Sequence, residues 1–108
     1  MSYRPKSVKE IYADSISINL ASLRRGMLEH RISEHEVTNV LSMISDLYYE
    51  KLEEIEKVCN ADSMALETVP SPLELLVECM SKVKGAAKVS PESVRFLGKY
   101  ASAWESWM

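Results

Sequence analysis

The stretch from Glu34 to Asn60 carries the most sustained helical repeat of apolar residues in the chain, and whatever the chain folds into has to cover it. Val37, Leu41, Ile44, Tyr48, Ile55 and Val58 recur at helical spacing, with Lys51 alone interrupting the seam. Val40, Leu47 and Leu52, with Met43 and Cys59 beside them, form a second row. The apolar stripe is therefore wider than a two-stranded seam requires, and this helix needs neighbours on more than one side. That is the central element of a helical bundle.

The other segments read as its cover. Ser7 with Glu10 is a capping-box pattern, in which a serine hydroxyl and a glutamate carboxylate each satisfy an amide of the first turn. Val8, Tyr12, Ile16, Leu20, Leu23 and Met27 follow at spacings of three and four, with Ile11 and Ile18 alongside. Ser33 with Glu36 repeats the device directly before the long helix, so the link between the first two helices is short and forces an antiparallel hairpin. Arg24, Arg25, His30 and Arg31 fall at its tip, near Glu34 and Glu36. Ser71, Pro72 and Glu74 start a third helix that carries Leu75, Leu76, Cys79, Met80 and Val83 inward and stops around Gly85. Ser90, Pro91 and Glu92 start a fourth. The expected helices are 7–31, 34–60, 72–86 and 91–106, with room for a short extra helical turn through Met64 to Glu67 between the second and third. The fold class is all-α, an antiparallel four-helix bundle forming a single domain over 1–108.

Composition agrees with that class. Three glycines and four prolines against 46% hydrophobic residues exclude a collagen-like, disordered or strand-and-turn chain. A chain of 108 residues is one domain's worth, near the size at which dimerisation adds stability. No apolar run approaches the roughly 20 residues of a membrane span, and the start of the chain lacks a signal-peptide core, so the expected location is the cytoplasm. Cys59 and Cys79 both fall on apolar stripes and read as buried, reduced thiols. Charge is laid out in three blocks: +3 over 1–32, −9 over 33–78 and +3 over 79–108. Outer helices of one sign can then lie against an acidic middle helix without any external partner.

Few residues suggest chemistry. The chain has no phosphate-cradling glycine loop, no nucleophile elbow and no two-histidine zinc helix. His30 and His35 stand five apart across a helix break, a spacing that does not present two ligands from one helical face. Asp46, Glu50, Glu53 and Glu54 cluster on an outward face, where carboxylates are solvated rather than tuned for acid and base work. The expectation is a protein that is not an enzyme and uses neither cofactor nor metal.

Partner surfaces offer more. In the fourth helix Val94, Leu97, Ala101, Trp104 and Met108 form one row, and Phe96, Tyr100, Ala103 and Trp107 another. One row can pack on the second helix; the other has either an inter-helix groove or a partner to fill, and large aromatics are the usual interface anchors. Phe96, Tyr100, Trp104 and Trp107 are thus the expected partner-binding residues. For DNA, residues 28–41 have the outline of a helix-turn-helix, but Glu34 and Glu36 would face the phosphates. A basic patch of Arg24, Arg25, Arg31, Lys88, Arg95 and Lys99 forms only if the ends of the first and fourth helices meet. The expected function is a small non-enzymatic protein–protein interaction module, a regulator, adaptor or chaperone-like subunit that self-associates as a homodimer. The alternative is a nucleic-acid-associated regulator using Arg24, Arg25 and Arg31.

Overall fold

The computed structural model describes residues 8–61, 69–86 and 88–105. They form four helices, α1 (Val8–Glu29), α2 (Glu34–Ala61), α3 (Pro72–Lys84) and α4 (Pro91–Glu105), and no strand occurs among the described residues. The fold is an all-α bundle. Ser7, and with it the expected cap of α1, lies outside the described residues, as does the extra turn through 64–67.

Hydrogen bonds between the helices fix their directions. Tyr48 of α2, with no exposed surface, donates its hydroxyl to the Tyr12 carbonyl of α1 at 3.1 Å. Tyr12 in turn donates its own hydroxyl to the Pro70 carbonyl just before α3, at 2.7 Å. This relay ties the start of α1 to the middle of α2 and to the entry of α3; with the short turn after Glu29, α1 runs antiparallel to α2 and parallel to α3. Burial pushes the Tyr48 phenol well above its ordinary range. At the opposite end, Phe96 and Tyr100 of α4 meet Gly26 and Ser22 of α1 in descending order, so α4 is antiparallel to α1. The bundle therefore alternates up and down, with α3 packed on α1, α2 and α4.

The core is drawn from all four helices. Val37, Val40, Ile44, Tyr48, Leu52 and Ile55 of α2 are buried, with Leu41, Met43 and Leu47 partly so, which is the wide stripe the repeat called for. Tyr12, Ile16, Leu23 and Met27 of α1, Leu75, Leu76, Cys79, Met80 and Val83 of α3, and Leu97 and Ala101 of α4 complete it. Three of the apolar residues expected in these rows do not join them. Val58, at the end of the seam, is 46% exposed, and Ile11 and Ile18 are 49% and 71% exposed. Ile11 and Ile18 sit more than about a third of a turn from the buried face of α1, because roughly 100° per residue carries them off the Tyr12–Ile16–Leu23–Met27 row.

The helix starts show which local signals were used. Ser71 and Glu74 form a complete capping box, each bond 3.2 Å, with Pro72 in the first turn of α3. At Ser33 only half of the expected box forms. The Ser33 hydroxyl accepts from the Glu36 amide at 3.3 Å, but the Glu36 carboxylate does not return to Ser33. It reaches across the bundle to α4, as described below. Three ion pairs lie among the described residues. Lys9 of α1 meets Glu56 of α2 at 3.6 Å, but Lys51–Glu54 and Lys82–Glu78 are bridges within one helix, and all three are solvent-exposed and worth little.

Candidate functional site

The end of α1 and the start of α4 enclose a cleft among the described residues. Its first wall is the turn that stops α1. The Ile32 amide donates to the Met27 carbonyl at 3.1 Å and the Arg31 amide to the Leu28 carbonyl at 3.0 Å, the paired bonds of a Schellman motif. Arg31 occupies the left-handed position with φ 61°, where glycine is the usual residue. Ile32 and Met27, the two apolar partners the motif brings together, are both buried. The stop thus places an exposed arginine side chain beside a buried isoleucine.

The second wall is α4, seated on α1 through a glycine. Gly26 lies inside α1, where a Cβ would come within 2.8 Å of Phe96 Cζ. Its missing side chain makes the notch that the Phe96 ring fills. Phe96 also meets the His30 ring edge-on at a centroid distance of 4.9 Å and stacks on Tyr100 at 5.5 Å. His30 is oriented by its own backbone: its Nδ1 donates to the Gly26 carbonyl at 2.9 Å.

Helix α4 is started by two chain segments together. Ser90 is its cap, and the Ser90 hydroxyl accepts from the Ser93 amide at 3.2 Å. Where a capping box would have glutamate, α4 has Ser93, fully buried, so the acid comes from α2. The Glu36 carboxylate accepts from the Ser90 amide at 2.8 Å and from the Ser93 hydroxyl at 2.9 Å. The Ser90 amide bond is the main reason the Glu36 carboxyl sits below its ordinary pKa, against a smaller opposing cost of burial.

Between these walls lies a cleft of about 360 Å³ lined by His30, Arg31, Ile32, Glu92, Arg95, Phe96 and Lys99. Arg95 and Lys99 stand one turn apart on α4 and are exposed, as is Arg31. Among the described residues no carboxylate forms an ion pair with Arg31, Arg95 or Lys99. The ends of the first and fourth helices do meet, and three of the six bases considered for a basic patch line this one recess. Arg24, Arg25 and Lys88 are exposed but do not line it.

The aromatic row of α4 divides. Phe96 is only 8% exposed, its ring set in the Gly26 notch. Tyr100 is half-buried and shares a 2.6 Å hydrogen bond with Ser22 of α1. The Trp104 backbone belongs to the last turn of α4; its side chain, and all of Trp107, lie outside the described residues. Sequence reading missed the strip that α1 leaves uncovered: Ile11, Ser15, Ile18 and Ser22, at spacings of four, three and four, share one side of the helix. The spacing was the available signal, but the two isoleucines read equally well as core.

The remaining candidates are plain. Asp46, Glu50, Glu53 and Glu54 are exposed on the outer face of α2. Cys79 is buried and unpaired, with burial pushing its thiol up to about 11. No helix among the described residues is long and apolar enough to cross a membrane. Compared with known proteins, the chain matches no family model, no curated protein and no solved structure.

Proposed function

We propose that the chain is a small non-enzymatic protein–protein interaction module, a regulator, adaptor or chaperone-like subunit, that self-associates and acts in the cytoplasm. The observation that carries this reading is the exposed strip of α1. Ile18 at 71% exposed and Ile11 at 49% exposed stand two turns apart on one side of the helix, with serines between them. Isolated exposed apolar residues are ordinary, but a row at coiled-coil spacing is a ready surface for another helix. The strip ends at Ser22, where Tyr100 of α4 is bonded, and α4 runs antiparallel to α1 from there toward Ile18. The buried, reduced Cys79 fits a reducing compartment.

Light scattering on the full chain tests this reading. A dimer that becomes a folded monomer on Ile18→Asp supports it, because so exposed a side chain contributes little to the fold of the protomer. A monomer at concentrations up to about 1 mM, or a dimer indifferent to Ile18→Asp, refutes self-association through this face.

The exposed arginines of the hairpin tip, Arg24, Arg25 and Arg31, carry a second reading, a regulator that binds nucleic acid. Duplex binding that falls steeply with salt, and is lost on replacing Arg24, Arg25 and Arg31, would support it. No binding at low salt would remove it.

A further inference from the structure

We propose that the cleft at the hairpin tip is a receptor for a single phosphate monoester on an aromatic or apolar stem. This inference stands independently of self-association. Arg31, Arg95 and Lys99 against Glu92 give the lining two net positive charges from its arginine, lysine and glutamate side chains, which matches a phosphate dianion rather than one carboxylate. Two guanidinium groups supply planar forks for phosphate oxygens, and the lysine a third, more mobile donor. None of the three is engaged by a described carboxylate, so a ligand displaces no existing ion pair. Behind the charges, Ile32 and Phe96 give the recess an apolar back, with the His30 ring edge-on to Phe96. A volume of about 360 Å³ holds a phosphoryl group with a ring, near the small end of ligand sites.

The geometry argues against an extended polyanion. Nucleic acid is held by bases spread along a track, one for each phosphate. Here the cations converge on one recess and Arg24 and Arg25 stand outside its lining. The neighbouring helix α2 presents Asp46, Glu50, Glu53 and Glu54 to solvent, and these repel a strand continuing in their direction.

The test is an amide-resolved NMR titration of the full chain with phenyl phosphate, with phenyl sulfate as a monoanion of similar shape. Saturable shifts confined to residues 30–32 and 92–99, and phenyl phosphate binding about tenfold more tightly than phenyl sulfate, are expected. Arg95→Ala and Arg31→Gly should each weaken binding roughly tenfold, the size of one charge-assisted contact, while Lys9→Ala changes nothing. Arg95 is exposed, and glycine suits the backbone at position 31, so both variants keep the fold. Two further probes separate the sources of such a group. Tighter binding of a phosphotyrosine peptide than of phenyl phosphate assigns the cleft to a partner protein, and tighter binding of a nucleoside monophosphate assigns it to a free metabolite; either supports the proposal. Absence of saturable shifts up to about 10 mM, or binding indifferent to both substitutions, overturns it. So does a single-stranded oligonucleotide that binds more tightly than any monoester with a salt slope of several charges, since that is the behaviour of a polyanion track.

Discussion

Replacing Gly26 and Gly98 by alanine, one at a time, isolates the contact that seats α4 on α1. Both glycines lie inside helices and neither has a positive φ, so each substitution brings the same intrinsic gain in helix propensity, about 1 kcal/mol. At Gly98 nothing lies within 4 Å of the added Cβ, and the gain should appear in full. At Gly26 the Cβ would stand 2.8 Å from Phe96 Cζ, closer than carbon atoms approach, and the ring has Tyr100 stacked on it and His30 edge-on. Overpacking of that kind costs roughly 1–3 kcal/mol, so Gly26→Ala should come out neutral to destabilising by about 2 kcal/mol. Urea unfolding followed by circular dichroism measures both, and the two variants should differ by about 1–3 kcal/mol at unchanged m-value. Phe96→Leu in the Gly26→Ala background should recover part of the loss, a coupling that marks two residues in contact. If Gly26→Ala stabilises as much as Gly98→Ala, Phe96 is not seated on Gly26 and the account of both the notch and the cleft wall fails.

Three other outcomes are expected. Glu36→Gln should lower stability by about 1–2 kcal/mol, since it weakens the bonds to Ser90 and Ser93. Because the folded-state pKa of Glu36 is depressed, its contribution is fully present above the ordinary carboxylate range and is lost as pH falls below about 4.5; stability curves of the two proteins should converge in acid. Arg31→Gly should raise stability by about 0.5–1 kcal/mol in thermal or urea unfolding, because the left-handed conformation costs a side-chain residue about 1–2 kcal/mol and glycine returns part of that as chain entropy. In a Cys59→Ser background, Cys79 should react with a thiol reagent at neutral pH only as fast as the core opens, its thiol being buried and pushed up to about 11; rapid labelling of the folded protein would contradict its place in the core.

What could be read from sequence was what neighbouring residues decide among themselves. The Ser71–Pro72–Glu74 start is complete within four residues, and the α2 stripe announces its own period, so both appear in the structure as expected. Glu36 shows where that reading stops. Ser33-x-x-Glu36 satisfied a local rule, yet its carboxylate bonds residues 54 and 57 positions away, because α4 carries serine where its own box needs an acid. The signal lay in Ser93, not in Glu36. Gly26 misleads in a similar way: a glycine near a helix end suggests a stop, whereas here it is a seat for a ring and the stop is made by an arginine. The apolar arc of α4 offered two rows, one of them expected to pack on the second helix, whereas in the structure α4 packs chiefly on α3. Which of its residues face inward depended on that seat, and no local pattern reveals it. The cleft was visible only as a condition, that the ends of two distant helices should meet.

The borrowed cap at Ser90 also has a structural consequence. A helix that carries both halves of its own cap can begin alone; α4 has only the serine half, and its acid arrives on α2. The cap of the first turn of α4 is therefore complete only where the tip of the α1–α2 hairpin is in place. The turn at 30–36 is thus joined to the start of α4 twice, through the Glu36 carboxylate and through the His30 ring on Phe96. The cleft and the start of α4 then form and dissolve as one unit, and a chain severed between α3 and α4 would lose both together.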